Sequence, residues 1–151
     1  MELEFNEQNL KKICNINNVN CIISSTTEDN KKFLEAIKAD GTHVVLTYPQ
    51  PQDKFPNQPI NEIKKRLGYE FSSKFTTLFG LHAVNIYNFE RFEYKPETKK
   101  DVQLSVKFNN GTSQKIMSFK GQSISRLEAI TDKLSELIYA LQKERNDTLN
   151  I

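Results

Sequence analysis

The chain has 151 residues, with 21 Lys+Arg against 19 Asp+Glu for a net charge of +2, and is 37% hydrophobic and 26% charged. That usage excludes a disordered tail, a collagen-like repeat and a disulfide scaffold, and the balanced charge implies no overwhelming electrostatic partner. The length fits one domain, 1–151, with a conventional core.

The first residues, Met1–Glu7, are acidic and carry no apolar signal core. Apolar runs such as Val44-Val45-Leu46 fall far short of the ~20 residues a helical membrane span needs. The expectation is a cytoplasmic protein without a membrane partner. Cys14 and Cys21 are read as reduced thiols, and His43 and His82 lie outside zinc-ligand spacing, so no metal or cofactor is expected. Lysine outnumbers arginine 17 to 4, a bias of AT-rich coding that suggests a bacterial, phage or mobile-element source.

In chain order, Glu7–Cys14 reads as a short helix with Leu10 and Ile13 on one face, broken by Asn15, Asn17 and Asn18. Val19–Ser24 reads as a strand. Thr26-Thr27-Glu28-Asp29 has the hydroxyl and acidic character of a helix start. Phe33, Leu34 and Ile37 follow at helical spacing, with Gly41 as the stop. Thr42–Tyr48 reads as a buried strand, so this stretch suggests a parallel crossover. Four prolines between positions 49 and 59 mark a loop. Pro59 then opens a helix, Ile60–Leu67, which Gly68 closes.

The 26 residues Tyr69–Tyr94 hold eight of the fifteen aromatics. Phe71, Phe75 and Phe79 are four apart, as on a helix face, yet the serines and threonines between them favour strand or turn. Ala83–Tyr94 reads as a strand whose apolar phase slips between Ile86 and Phe89, as a bulge would cause. Lys95–Asp101 is a charged loop. Val102, Leu104, Val106 and Phe108 alternate up to Asn110-Gly111, a two-residue hairpin signal. Closing the hairpin there pairs Asn109 with Thr112, Val106 with Lys115, Leu104 with Met117 and Val102 with Phe119. Ile116 is then the one apolar residue on the polar face.

A long helix, Ser125–Arg145, ends the chain, with Ser125 and Glu128 as its capping box. Its stripe Leu127, Ile130, Leu134, Leu137 and Leu141 faces either the hairpin or a second copy, giving a helix-mediated homodimer as the alternative. The sum is an α+β fold: an antiparallel sheet including the 102–119 hairpin, covered by the C-terminal helix, with shorter helices in the N-terminal half. This ending resembles that of pleckstrin-homology-like barrels and of several unrelated small folds.

The spacing of the chain's reactive residues carries no catalytic signature. The five glycines are isolated, and no nucleophile elbow or zinc-protease helix occurs. His43 and His82 read as structural or surface residues, with a small histidine-dependent hydrolase or transferase as an alternative. Cys14 reads as an inert thiol, and Glu90 and Glu93 as solvated edge charge. Two binding readings remain. The first is a non-enzymatic inhibitor or adaptor whose protein partner is anchored by Tyr87, Phe89, Phe92 and Tyr94. The second is nucleic-acid binding through Lys64, Lys65, Arg66, Lys99 and Lys100, opposed by the acidic residues interleaved with them.

Overall fold

The computed structural model describes residues 3–13 and 18–149, with side chains as far as residue 146. Cys14, Asn15 and Asn17 lie outside the described residues. The architecture is α+β, with two antiparallel sheets and four α-helices among the described residues. The length suggests one domain; the contacts gather into two compact units, Met1–Asn85 and Ile86–Ile151. Neither sheet closes into a barrel.

The first unit is built on strands β1 (Val19–Thr26), β2 (Lys31–Lys38), β3 (His43–Val45), β4 (Gln50–Pro51), β5 (Phe75–Leu78) and β6 (His82–Asn85). They run in the order β3-β2-β1-β6-β5, with β4 paired to β2. Cross-strand partners Ile22, Ala36 and Ala83 share one face. That face packs in one cluster with Leu10 of α1 (Glu7–Lys12), Ile60 and Ile63 of α2 (Ile60–Leu67) and Phe71 of α3 (Tyr69–Ser72). Asn6 caps α1 by accepting the Asn9 N–H at 3.1 Å. Helix α2 ends as its sequence implies, because Gly68 adopts φ +58° and its N–H closes on Lys64 O.

One sequence expectation is overturned here. Residues 26–41 form no helix and no parallel crossover; β1 and β2 are an antiparallel hairpin. The Thr27 hydroxyl, read as a helix cap, instead accepts the Lys31 N–H across the turn, and Asn30 takes φ 63°. Leu34 and Ala36 are buried on one face of β2, and Glu35 and Ile37 on the other. A strand buried on both faces loses the alternation that distinguishes it from a helix. Of the strand expected over Thr42–Tyr48 only His43–Val45 forms, at the sheet edge, with Val45 exposed.

The second unit is a three-stranded sheet, β7 (Phe89–Pro96), β8 (Asp101–Phe108) and β9 (Ser113–Lys120), followed by α4 (Ile124–Leu149). The stretch read as one bulged strand is two, β6 and β7, parted by the turn 86–88; a register shift does occur between Phe89 and Arg91. Val102, Leu104, Val106 and Phe108 are all buried.

The 102–119 hairpin keeps its expected pairs at the far end, Leu104 with Met117 and Val102 with Phe119. Near the turn it differs. Gly111, at φ 90°, follows Asn109 and Asn110 in a three-residue connection in which Gly111 N–H bonds Phe108 O and Phe108 N–H bonds Thr112 O. Val106 therefore pairs with Gln114 and Ser105 with Lys115. A bulge at Ile116 restores the register, and the residue that looked misplaced on the polar face is buried. Helix α4 is capped by Ser123, whose hydroxyl accepts Arg126 N–H at 3.2 Å, not by Ser125.

Candidate functional site

The four aromatics proposed as anchors separate. Phe89 and Phe92, at 2% and 7% exposure, are core residues of the second unit, their rings 5.1 Å apart in an edge-on contact. The register shift at Phe89/Arg91 turns both inward, which removes them as surface anchors. Tyr94 is half-buried, and its hydroxyl bonds Thr131 of α4, whose own hydroxyl donates to Leu127 O. Burial raises its phenol pKa. Tyr87 remains exposed.

Helix α4 is tied to β7 and to the turn before it by side chains that satisfy backbone carbonyls. Tyr139 donates to Glu90 O at 2.6 Å, and Gln142 donates to Ile86 O and Phe89 O at 2.7 and 2.8 Å. These bonds satisfy carbonyls of the first residues of β7 and of the 86–88 turn before it. Glu90 and Glu93 both pair with Arg91, and Lys107 joins Glu90.

The basic residues fall in different units. Lys64, Lys65 and Arg66 are exposed on α2, where Lys65 pairs with Glu62 and Arg66 with Glu7. The Arg66 guanidinium also lies over the Phe5 ring, 4.9 Å from its centroid. Lys99 and Lys100 lie in the exposed β7–β8 turn, where Lys100 O accepts Gly121 N–H.

The histidines have distinct roles. His82 on β6 is buried, and its Nδ1 accepts Ser24 N–H at 3.1 Å. Burial, aided by nearby Lys32, lowers its pKa to about 4, so the ring is neutral at physiological pH. His43 on β3 sets Nδ1 3.1 Å from Glu35 Oε1, the same oxygen that accepts the Ser25 hydroxyl at 3.0 Å. A carboxylate orienting an imidazole is half of a general-base arrangement. Ser25, however, meets the carboxylate and not the ring. Burial, then the nearby Glu35 carboxylate, pushes the Cys21 thiol up to about 12, which leaves it protonated and unreactive. Among the described residues no group of three or more His, Cys, Asp or Glu is placed to hold a metal ion. No helix among them is long and apolar enough to cross a membrane.

The site that sequence reasoning missed is a turn. Because β1 runs antiparallel to both β2 and β6, the 27–30 turn, the β4 bridge to Lys31 and Lys32, and the β5–β6 turn share one end of the sheet. The β5–β6 tip is Phe79-Gly80, with φ 56° and 72° and a Leu81 N–H to Leu78 O bond. Gly80 fits such a tip, and a Cβ there would come within 3.2 Å of Gln58. Phe79 does not fit it. Left-handed backbone at a bulky residue is an outlier, yet this ring is 38% exposed. The legible signal was a lone glycine between two β-rich runs, with no asparagine before it.

The fold and surface define an α+β protein with two antiparallel sheets and an exposed aromatic at a strained turn. No protein-family model, no curated protein and no solved structure matches the chain.

Proposed function

We propose that the chain is a non-enzymatic binding module, of inhibitor or adaptor type, whose partner is a protein. Phe79 carries the reading. An aromatic held at φ 56° costs on the order of 1–2 kcal/mol where asparagine or glycine would cost less. Strain of this kind gathers at binding sites, ligand clamps and switch regions, and this ring is 38% exposed. Aromatics are also the commonest interface anchors, because they bring large contact area at small entropic cost. Tyr69, the most exposed aromatic at 84%, and Tyr87 add to the first and second units' share of such surface. A phage or mobile-element origin and a cytoplasmic setting belong to the same reading.

Binding to nucleic acid is the competing reading. It is weakened by the ion pairs already made by Lys65 and Arg66, since such binding needs cations available to phosphates. Capture from host lysate, with and without nuclease, separates the two when wild type is compared with Phe79→Asn. The expected result is a stoichiometric protein that survives nuclease with wild type and is lost with the variant. A protein retained equally by both removes Phe79 as the anchor. Material that vanishes with nuclease transfers the function to the lysine clusters.

A further inference from the structure

Helix α4 carries more apolar surface than its own sheet covers. Leu127, Thr131 and Ile138 are buried, whereas Ile130 and Leu137 are 48% and 50% exposed. Leu134 and Leu141 are half-buried between the two groups. At about 100° per residue, the exposed pair is rotated roughly 90° from the buried trio. The apolar arc is thus too wide for one partner layer, and its outward flank steps 130, 134, 137, 141.

We infer that this flank seats a second copy of the chain, with the two α4 helices antiparallel. The inference goes beyond the reading above, since it uses another surface and does not depend on Phe79. A two-fold interface must be self-complementary, residue i meeting j while j meets i. An axis midway along the stripe sets Leu134 against the partner's Leu137, and Ile130 against the partner's Leu141. Small residues, Ala129 and Ala140, flank the stripe and permit close approach.

Charge selects the orientation. Exposed Arg126 closes the stripe at its N-terminal end and exposed Glu144 at its C-terminal end, the pair centred about half a residue from the same axis and on the same flank of the helix. Antiparallel packing brings each Arg126 to the partner's Glu144. Parallel packing sets Arg126 and Lys133 against their own copies, and like charges repel. A second observation agrees. Arg126 lies in the first turn of α4, which holds no acidic residue, and a helix dipole disfavours a cation there. A carboxylate from the other copy offsets that cost.

The stripe from Ile130 to Leu141 runs about 17 Å. Two such stripes bury less than the ~1,200 Å² of a permanent interface, so the dimer is weak and concentration-dependent.

Sedimentation velocity from about 5 to 500 µM tests this, a range that spans weak association. The weight-average mass is expected to rise from the 17.5 kDa of one chain towards twice that value. Leu137→Glu should move the midpoint at least tenfold higher with an unchanged far-UV circular dichroism spectrum. Arg126→Glu should weaken the dimer several-fold, and adding Glu144→Arg should restore it. A chain that stays monomeric throughout overturns the inference, as does a dimer indifferent to Leu137→Glu. A charge swap that fails to rescue overturns the antiparallel arrangement. Should Leu137→Glu not fold, the charge series decides alone.

Discussion

The backbone N–H of Ser24 donates to Nδ1 of His82 at 3.1 Å, joining two neighbouring strands through a buried, neutral imidazole. The acceptor exists only while Nδ1 is unprotonated. With its pKa lowered to about 4 in the fold against an ordinary ~6.5, titration of His82 adds no pH dependence to stability above pH 6.5. Between pH 6.5 and 4 the unfolded chain takes up a proton that the folded chain refuses, so stability falls. The full loss is about 3 kcal/mol once the pH is below 4. Urea unfolding of wild type and His82→Gln at pH 7, 6, 5 and 4 checks it. The advantage of wild type should shrink across that window, and parallel curves would count against a neutral His82.

Phe79→Asn should stabilise the protein by about 1 kcal/mol, because asparagine tolerates the left-handed region that phenylalanine occupies at φ 56°. Thermal unfolding reads this directly. A drop in melting temperature would mean that the ring earns more by packing than its backbone loses.

Thr47 is fully buried, and its hydroxyl accepts Leu34 N–H at 2.8 Å. Thr47→Val keeps the shape and deletes the acceptor, stranding a backbone donor inside the first unit. A loss of about 1–3 kcal/mol is expected, with Thr47→Ser recovering most of it. Denaturant midpoints for the three proteins decide the point.

Gln142 serves two carbonyls at once, on Ile86 and Phe89. Gln142→Leu should destabilise the docking of α4 on β7 by roughly 1–3 kcal/mol. Tyr139→Phe removes the bond to Glu90 O and should cost about 1 kcal/mol. Amide hydrogen exchange in β7 and α4 should accelerate in both variants while the first unit's strands stay protected. Uniform acceleration in both units would contradict it.

Much of this fold was legible because some elements are specified by neighbours in sequence. Pro59 and Gly68 bracket α2, Asn110-Gly111 places the β8–β9 connection, and the spacing of Leu127 and Leu134 marks α4. The errors share one cause. Lys31–Lys38 looked helical because both of its faces are buried. The slip near Phe89 was read as one strand bulging, whereas a turn starts a new sheet there. Of the candidate site, Tyr87 kept its exposure and Phe89 and Phe92 did not. Phe79 was legible only as one of three phenylalanines four apart, because its place at the turn lies in a φ angle that composition does not reveal.

The sequence by itself determined where the chain turns and which segments are amphipathic, since glycine, proline, asparagine and periodicity act on local backbone geometry. Only the tertiary structure decided which aromatics are core, that two sheets form, and that Ile130 and Leu137 face away from the layer that buries Leu127 and Ile138. Burial depends on partners distant in the chain, and an apolar residue carries no record of which surface will reach it.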